Sequence, residues 1–394
     1  MGAIIVQFVI LPVQIRQIAL FALENRLIKR YNIQRKISDH NILRCLFFLY
    51  FGKMNCTKSV HFHKTHNRKA GCQSAACFAV NTNFPRGIRW SIKSFAARVF
   101  FMSEAFGNIK TFGIIGGDKR QLFLAQSLLE DGCGAILAGF GKLREHGFRA
   151  LSGVEAAVLY SDAVILPLPS VRADRSINAP FSEKSIVLSE EQQALLCKKP
   201  VFAAMSDRLF RAYPMLKNAS VYDYASRDDF AVLNAVPTAE GALELAMQEY
   251  EGTLWGSRSL VTGFGRIGKA LARRLSSLGS SVTVCARKAS DLAFIETLGY
   301  TAGDFSSLGD ARGYDLIFNT VPAMVFDEAL LRKTDKTALL FDLASLPGGV
   351  DFESAAALGI DARRALSLPG KCAPKAAGEI IKKTVFSIIK EGKR

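Results

Sequence analysis

Six consecutive residues, Gly263-Phe264-Gly265-Arg266-Ile267-Gly268, constrain this chain more than any others. They follow a short strand-like run at 259–262. They open a segment in which Ile267, Ala270, Leu271, Leu275 and Leu278 recur at helical spacing until Gly279. A strand that turns through spaced glycines straight into a helix is the first half of a βαβ unit. The helix must pack back on a sheet, so a parallel strand is expected beside the first. Runs at 281–286, 315–319 and 339–343 read as the further strands.

A second unit of the same rhythm precedes this one. An apolar run at 111–115 ends in Gly116-Gly117-Asp118, and Leu122, Leu124, Ala125, Leu128 and Leu129 then form a helical stripe. Strands are expected at 135–138, at 163–166 (stopped by Pro167 and Pro169) and at 201–204. Residues 234–251 join the two units and read as mostly helical. The predicted fold class is therefore α/β: two Rossmann-like parallel-sheet domains with a cleft between them, preceded by an irregular basic leader. The expected boundaries are the leader at 1–101, an N-terminal α/β domain at 102–235, a dinucleotide-binding domain at 236–375 and a C-terminal helix at 376–394. Ile380, Ile381, Val385, Phe386, Ile388 and Ile389 give that helix an apolar face, expected to pack across the first domain or on a partner.

Charge separates the leader from the rest. The chain carries a net charge of +16, which suggests nucleic acid until it is divided. Residues 1–101 hold 16 Lys and Arg against two acids, Glu24 and Asp39. Taken from the chain's 51 and 35, that leaves 35 basic and 33 acidic residues in 102–394. The body is near neutral and carries no general field for nucleic acid. Apolar stretches in the leader are shorter than the roughly 20 residues of a membrane span. Cys56, His61, His63, His66, Cys72 and Cys77 cluster there without the paired spacing of a zinc site. No metal site is expected. Met102 stands just before the first well-formed strand, so the leader is expected to be upstream sequence read from too early a start.

The glycines of 263–268 carry a specific chemistry. Gly263 allows the tight turn, Gly265 lets a pyrophosphate approach the backbone, and Gly268 lets the helix lie close to its strand. Phe264, Arg266 and Ile267 supply the intervening backbone, whose free N–H groups at the helix start hold phosphate. The second strand ends in Arg287-Lys288-Ala289-Ser290, without the acid that holds the ribose hydroxyls of NAD. Arg287, Lys288 and Ser290 are expected to meet a 2′-phosphate, which favours NADP(H). Asn319, Thr320 and Pro322 follow a strand facing the same cleft and are expected near the nicotinamide ribose or ring.

Several segments together are similar to one family. They are Ile114-Ile115-Gly116-Gly117-Asp118-Lys119-Arg120-Gln121, Asn234-Ala235-Val236-Pro237-Thr238-Ala239-Glu240-Gly241, the glycine turn at 263–268, and Asn319-Thr320-Val321-Pro322. Asp342-Leu343-Ala344-Ser345-Leu346-Pro347-Gly348-Gly349 and Leu368-Pro369-Gly370-Lys371-Cys372-Ala373-Pro374-Lys375 complete the set. Their order and spacing resemble the dipicolinate synthase A-subunit family of spore-forming bacteria, over about 108–391. The resemblance implies an NADP-linked oxidation of dihydrodipicolinate to dipicolinate during sporulation. It also implies a flavoprotein-like partner, the dipicolinate synthase B-subunit, in the mother-cell cytoplasm. The residues alone lead to a two-domain nicotinamide oxidoreductase of unknown small substrate.

A dicarboxylate substrate needs Arg, Lys, hydroxyls or backbone N–H groups. Gly117, Asp118 and Arg120 begin a helix and offer such donors, or form a glycine turn capped by Asp118. Asn234, Thr238 and Glu240 lie at the hinge and either reach the substrate or, for Thr238, cap a helix. Asp342 and Ser345 end a strand beside the nucleotide and are the catalytic candidates. Lys375, with Lys371, adds positive charge. His146 is the one histidine of the body and a weaker proton-transfer candidate, and Cys372 reads as an inert thiol. Self-association is left open. A non-catalytic NADP-binding scaffold or regulatory protein is the alternative, because acid–base groups are scarce. The intact mass of the protein from its native host should match a start at or near Met102; accumulation of the whole 394-residue product would sink the early-start reading.

Overall fold

A computed structural model of the protein describes residues 109–143, 153–305 and 308–392. The leader, its Cys and His cluster and His146 lie outside the described residues. All described residues fall in one unit, Met102–Arg394. The first lobe is a parallel sheet of β1 (Thr111–Ile115), β2 (Gly134–Ala138), β3 (Ala163–Ile165), β4 (Val201–Ala203) and β5 (Val221–Asp223), in the order β2-β1-β3-β4-β5. Helix α1 (Lys119–Glu130) follows β1, α2 (Val154–Leu159) precedes β3, and α3 (Glu190–Leu196) and α4 (Ser206–Ala212) flank β4.

Helix α5 (Asp228–Glu249) leads out of this lobe. The second sheet contains β6 (Arg258–Thr262), β7 (Ser281–Ala286), β8 (Thr301–Asp304), β9 (Leu316–Asn319), β10 (Leu339–Asp342) and β11 (Asp361–Arg364). Its order, β11-β10-β9-β6-β7-β8, is parallel throughout and is the doubly wound dinucleotide-binding order. Helices α6 (Arg266–Ser277), α7 (Ala289–Thr297), α8 (Glu328–Leu331) and α9 (Phe352–Leu358) connect its strands. Two parallel-sheet α/β lobes are thus present, as the glycine turns and strand rhythm predicted. Three strands escape the sequence reading: β5, β8 and β11. Each lies at a sheet edge, so each lacks the continuous apolar run of a central strand.

Helix α5 begins six residues before Asn234 and runs through Pro237. Thr238 therefore lies mid-helix and caps nothing. Its hydroxyl donates to the Asn234 carbonyl at 2.7 Å, inside the turn that Pro237 interrupts.

After β11 the chain forms a short helix, α10 (Leu368–Cys372), and then α11 (Pro374–Glu391), which returns to the first lobe. Ile381, Val385, Ile388 and Ile389 enter the core of Phe112, Ile114, Leu124 and Leu128. The Phe112 and Phe386 rings stand 6.1 Å apart. Lys382 reaches the Asp131 carboxylate at 2.7 Å and also binds the Ser127 hydroxyl. No helix among the described residues is long and apolar enough to cross a membrane.

Gly378 lets α11 touch α1 backbone to backbone. A Cβ there would stand 2.6 Å from the Arg120 carbonyl oxygen and 2.9 Å from the Leu124 nitrogen. At an exposed helical site Gly→Ala stabilises by about 1 kcal/mol. At Gly378 the overlap reverses the sign, and Gly378→Ala should destabilise by about 1–3 kcal/mol. Urea denaturation followed by circular dichroism checks this; an unchanged or higher midpoint would mean that the two helices separate at no cost.

Candidate functional site

The second sheet reverses strand order between β6 and β9, the place where such sheets bind nucleotides. The glycine turn after β6 sits there, and each glycine has a distinct cause. Gly263 has φ +99°, and a Cβ on it would lie 2.5 Å from Thr320 Oγ1. A Cβ on Gly268 would overlap the Gly263 carbonyl, so this glycine lets α6 lie against its strand. Around Gly265 a Cβ would meet no protein atom within 4 Å. Packing does not demand that glycine; an open approach to backbone does, which fits a pyrophosphate. Gly265 caps α6 with no side-chain hydrogen bond, leaving the first N–H groups of the helix for a ligand. Phe264 is buried, ring against Phe294 at 6.1 Å, so it contributes backbone only. Ile267 is half-buried beside it. Arg266 is committed elsewhere: its Nε donates to Asp228 at the start of α5, at 2.8 Å.

Behind the turn lies a buried polar network. Thr262 Oγ1 donates to Asn319 Oδ1 at 2.8 Å, and Asn319 Nδ2 donates to Asp342 Oδ1 at 2.8 Å. Asp342 also accepts from the backbone N–H groups of Ala344 and Gly349, at 3.2 and 3.1 Å. Asn319 and Asp342 are both fully buried. Asp342 therefore supports the 344–349 turn from behind, while Ser345 is exposed on it. Thr320 donates its hydroxyl to the Thr262 carbonyl at 2.8 Å, and Pro322 is exposed. Sequence reading missed Thr262 and Gly349. The polar residue ending an apolar strand was the available signal for Thr262.

Arg287, Lys288 and Ser290 are exposed where β7 passes into α7. Neither Arg287 nor Lys288 has an ion-pair partner among the described residues. The acid in register with Ala286 is Asp304, on the neighbouring strand β8.

In the first lobe, Gly116 and Gly117 have φ +70° and +108° and turn the chain from β1 into α1. Asp118 and Gln121 form a capping box there. Arg120 is 6% exposed and grips Asp118 through Nε and Nη2; Nη2 also donates to the Leu168 carbonyl at 2.7 Å. Asp118 and Arg120 thus neutralise one another. Gln121 is fully buried, and its Nε2 is the buried side-chain nitrogen without an acceptor among the described residues.

Two contacts bring the carboxyl edges of the two sheets together. Asp228, just after β5, pairs with Arg266, just after β6. Gly370, past the end of β11, lies on the turn after β1: a Cβ there would stand 2.9 Å from Asp118 Oδ2 and 3.0 Å from Arg120 Nε. The two lobes therefore meet along one seam at the carboxyl edges of their sheets. Not every expected wall residue faces it. Glu240 pairs with Arg274, near the far end of α6, at 2.9 Å. Thr238 is buried within its helix, and Asn234 is half-buried there. Lys375 is exposed in the first turn of α11. Burial, followed by the Glu244 carboxylate, pushes the Cys372 thiol up to about 11. Among the described residues no three His, Cys, Asp or Glu side chains converge as metal ligands.

Residues 111–225 match the family model of the N-terminal domain of the dipicolinate synthase A-subunit. The chain is 32% identical to the dipicolinate synthase A-subunit of Bacillus subtilis (strain 168) over 286 residues, 71% of this chain and 95% of that protein. The crystal structure of the Bacillus halodurans dipicolinate synthase A-subunit superposes with a TM-score of 0.65 at 33% identity, covering 71% of this chain and 97% of that one. The crystal structure of the corresponding dipicolinate synthase chain from Bacillus subtilis gives a TM-score of 0.65 at 30% identity, covering 74% of this chain and all of that one. With both lobes and the glycine turn in place, the chain belongs to the dipicolinate synthase A-subunit family.

Proposed function

We propose that this chain is the NADP(H)-binding component of a dipicolinate synthase, oxidising dihydrodipicolinate to dipicolinate in the mother-cell cytoplasm of a sporulating bacterium. Its working partner is the flavoprotein-like B-subunit. The observation that carries the reading is the open space at Gly265, in a doubly wound sheet of a chain 32% identical to a dipicolinate synthase A-subunit. Gly263, Gly265 and Gly268 with the first N–H groups of α6 hold the pyrophosphate. Arg287, Lys288 and Ser290 meet the 2′-phosphate. Thr320 and Pro322 line the nicotinamide end, with Asn319 fixing their loop from behind.

The cofactor, when bound, would supply the acceptor for the hydride lost by the dihydropyridine ring. The chain's own residues orient that ring and balance its two carboxylates. Ser345 offers a hydroxyl from the second-lobe wall, and Asp342 keeps that turn in place through Ala344 and Gly349. The turn at Gly117 lines the opposite wall. One proton must also leave the substrate as aromaticity forms.

Gly265→Val should abolish NADPH binding, read by titration calorimetry, while the circular dichroism spectrum stays native. Ser345→Ala should leave NADPH affinity within twofold and lower turnover of the reconstituted two-component enzyme at least tenfold; unchanged turnover would remove Ser345 from the site.

Replacing Arg287 and Lys288 together by Ala should weaken NADPH at least tenfold, about 1.4 kcal/mol. NADH affinity should hardly change. Because both side chains are exposed, salt should erode the NADPH preference of the wild type. Equal weakening of both cofactors would show that the pair does not read the 2′-phosphate. Turnover by this chain without its partner would exclude a purely scaffolding role.

A further inference from the structure

The glycine turn of the first lobe is covered by a small hairpin that the cofactor and ring contacts above do not use. Val171 and Ile177 pair antiparallel and are buried, 3% and 1% exposed. Alternation along the hairpin puts Ser170, Arg172, Ser176 and Asn178 on its other face. Arg172 N–H donates to the Ser176 carbonyl at 2.8 Å, and Asn178 N–H to the Ser170 carbonyl at 3.0 Å. The Asn178 carbonyl accepts from Gly117 N–H at 2.7 Å, which seats the hairpin on the turn. The Asn178 side chain does something else: its Oδ1 accepts from Arg172 Nε at 3.2 Å. The hairpin and the turn are the loops that follow β3 and β1, where the first sheet reverses strand order.

Arg172 is exposed, and its terminal nitrogens have no carboxylate partner among the described residues. Two acids of these loops have partners of their own, and the Arg172 charge adds to the Ser176 bonds that hold the Asp174 carboxyl below its ordinary value. Asp174 accepts from both the N–H and the hydroxyl of Ser176, at 3.0 and 2.6 Å. Asp118 is held by Arg120 at 2.9 Å. Gln121 Nε2 is buried and has no acceptor among the described residues. The Gly116, Gly117 and Asp118 N–H groups of the turn already have acceptors and its acid is neutralised, so the tethered guanidinium beside it is the group left to meet an anion that only accepts hydrogen bonds. Carboxylates fit the planar guanidinium fork best.

We infer that Arg172, positioned by Asn178, binds one carboxylate of the substrate from the first-lobe wall. The inference rests on the dicarboxylate reading of the substrate, and it adds the residue that recognises the second acid group. Ser345 and the second lobe then face the rest of the ring.

The test is titration of the full chain with dipicolinate, and separately with NADPH. Arg172→Ala should raise the dipicolinate Kd at least tenfold while the NADPH Kd and the melting temperature stay put. Arg172→Lys should recover only part of the loss, because an ammonium cannot keep both the Asn178 bond and a forked carboxylate contact. Asn178→Ala should show a smaller loss, again in dipicolinate affinity alone. If the wild type binds dipicolinate and Arg172→Ala binds it within threefold as well, the Arg172 assignment is overturned and the dicarboxylate reading stands. If the wild type binds NADPH but not dipicolinate, the dicarboxylate reading falls and takes this assignment with it.

Discussion

The close approach of Gly370 to the Asp118–Arg120 pair governs what the cleft can be. A Cβ at 370 would press on both charged groups, so the second lobe reaches the first-lobe turn only because no side chain intervenes. Arg120 then spends its donors inside the protein, on Asp118 and the Leu168 carbonyl. A mostly buried guanidinium is tolerable because its partners are fixed. The consequence is functional: the turn carries little net charge of its own, and any anion bound there must be met by a different cation. Arg172 stands on the hairpin seated over that turn.

The second lobe solves a related problem with a buried carboxylate. Asp342 is removed from water and accepts three N–H groups, from Asn319, Ala344 and Gly349. Removing one partner of such a network leaves a buried polar group unpaired, at a cost of about 1–3 kcal/mol. Thr262 extends the chain of bonds across β6, β9 and β10. The three strand ends that border the 263–268 glycine turn are therefore locked to one another through side chains as well as through the sheet. A rigid floor of this kind lets the exposed 344–349 turn hold a side chain at a fixed place.

How far the sequence could be read follows from the range of each interaction. The turn at 263–268 and the helix after it are local, and strand, glycines and apolar stripe all lie within about twenty residues. Central strands such as β1 and β9 are apolar because both faces are covered. The edge strands β8 and β11 read Thr-Ala-Gly-Asp and Asp-Ala-Arg-Arg, and nothing in those residues distinguishes a strand from a loop. Thr238 reads equally well as a helix cap, yet α5 starts ten residues earlier and runs through Pro237, and its packing on α6 and α10 outweighs the one lost hydrogen bond. Asp342 and Ser345 look equivalent in sequence, three residues apart at a strand end. Only the distant Asn319 and the returning Gly349 turn one inward and leave the other exposed. Glu240 drew attention as a hinge acid, but its partner Arg274 lies thirty-four residues on, on another helix.

Charge finally links the two lobes to one task. The region after Met102 is close to neutral, so attraction of anions cannot come from a general field. It has to come from cations placed singly. Arg287 and Lys288 stand exposed at the end of β7, Arg172 on the first-lobe hairpin, Lys371 in α10 and Lys375 in the first turn of α11. Other arginines near the cleft, Arg120 and Arg266, are occupied by Asp118 and Asp228 and serve architecture. On the proposed function, Arg287 with Lys288 anchors a phosphorylated cofactor in the second lobe and Arg172 a carboxylate in the first.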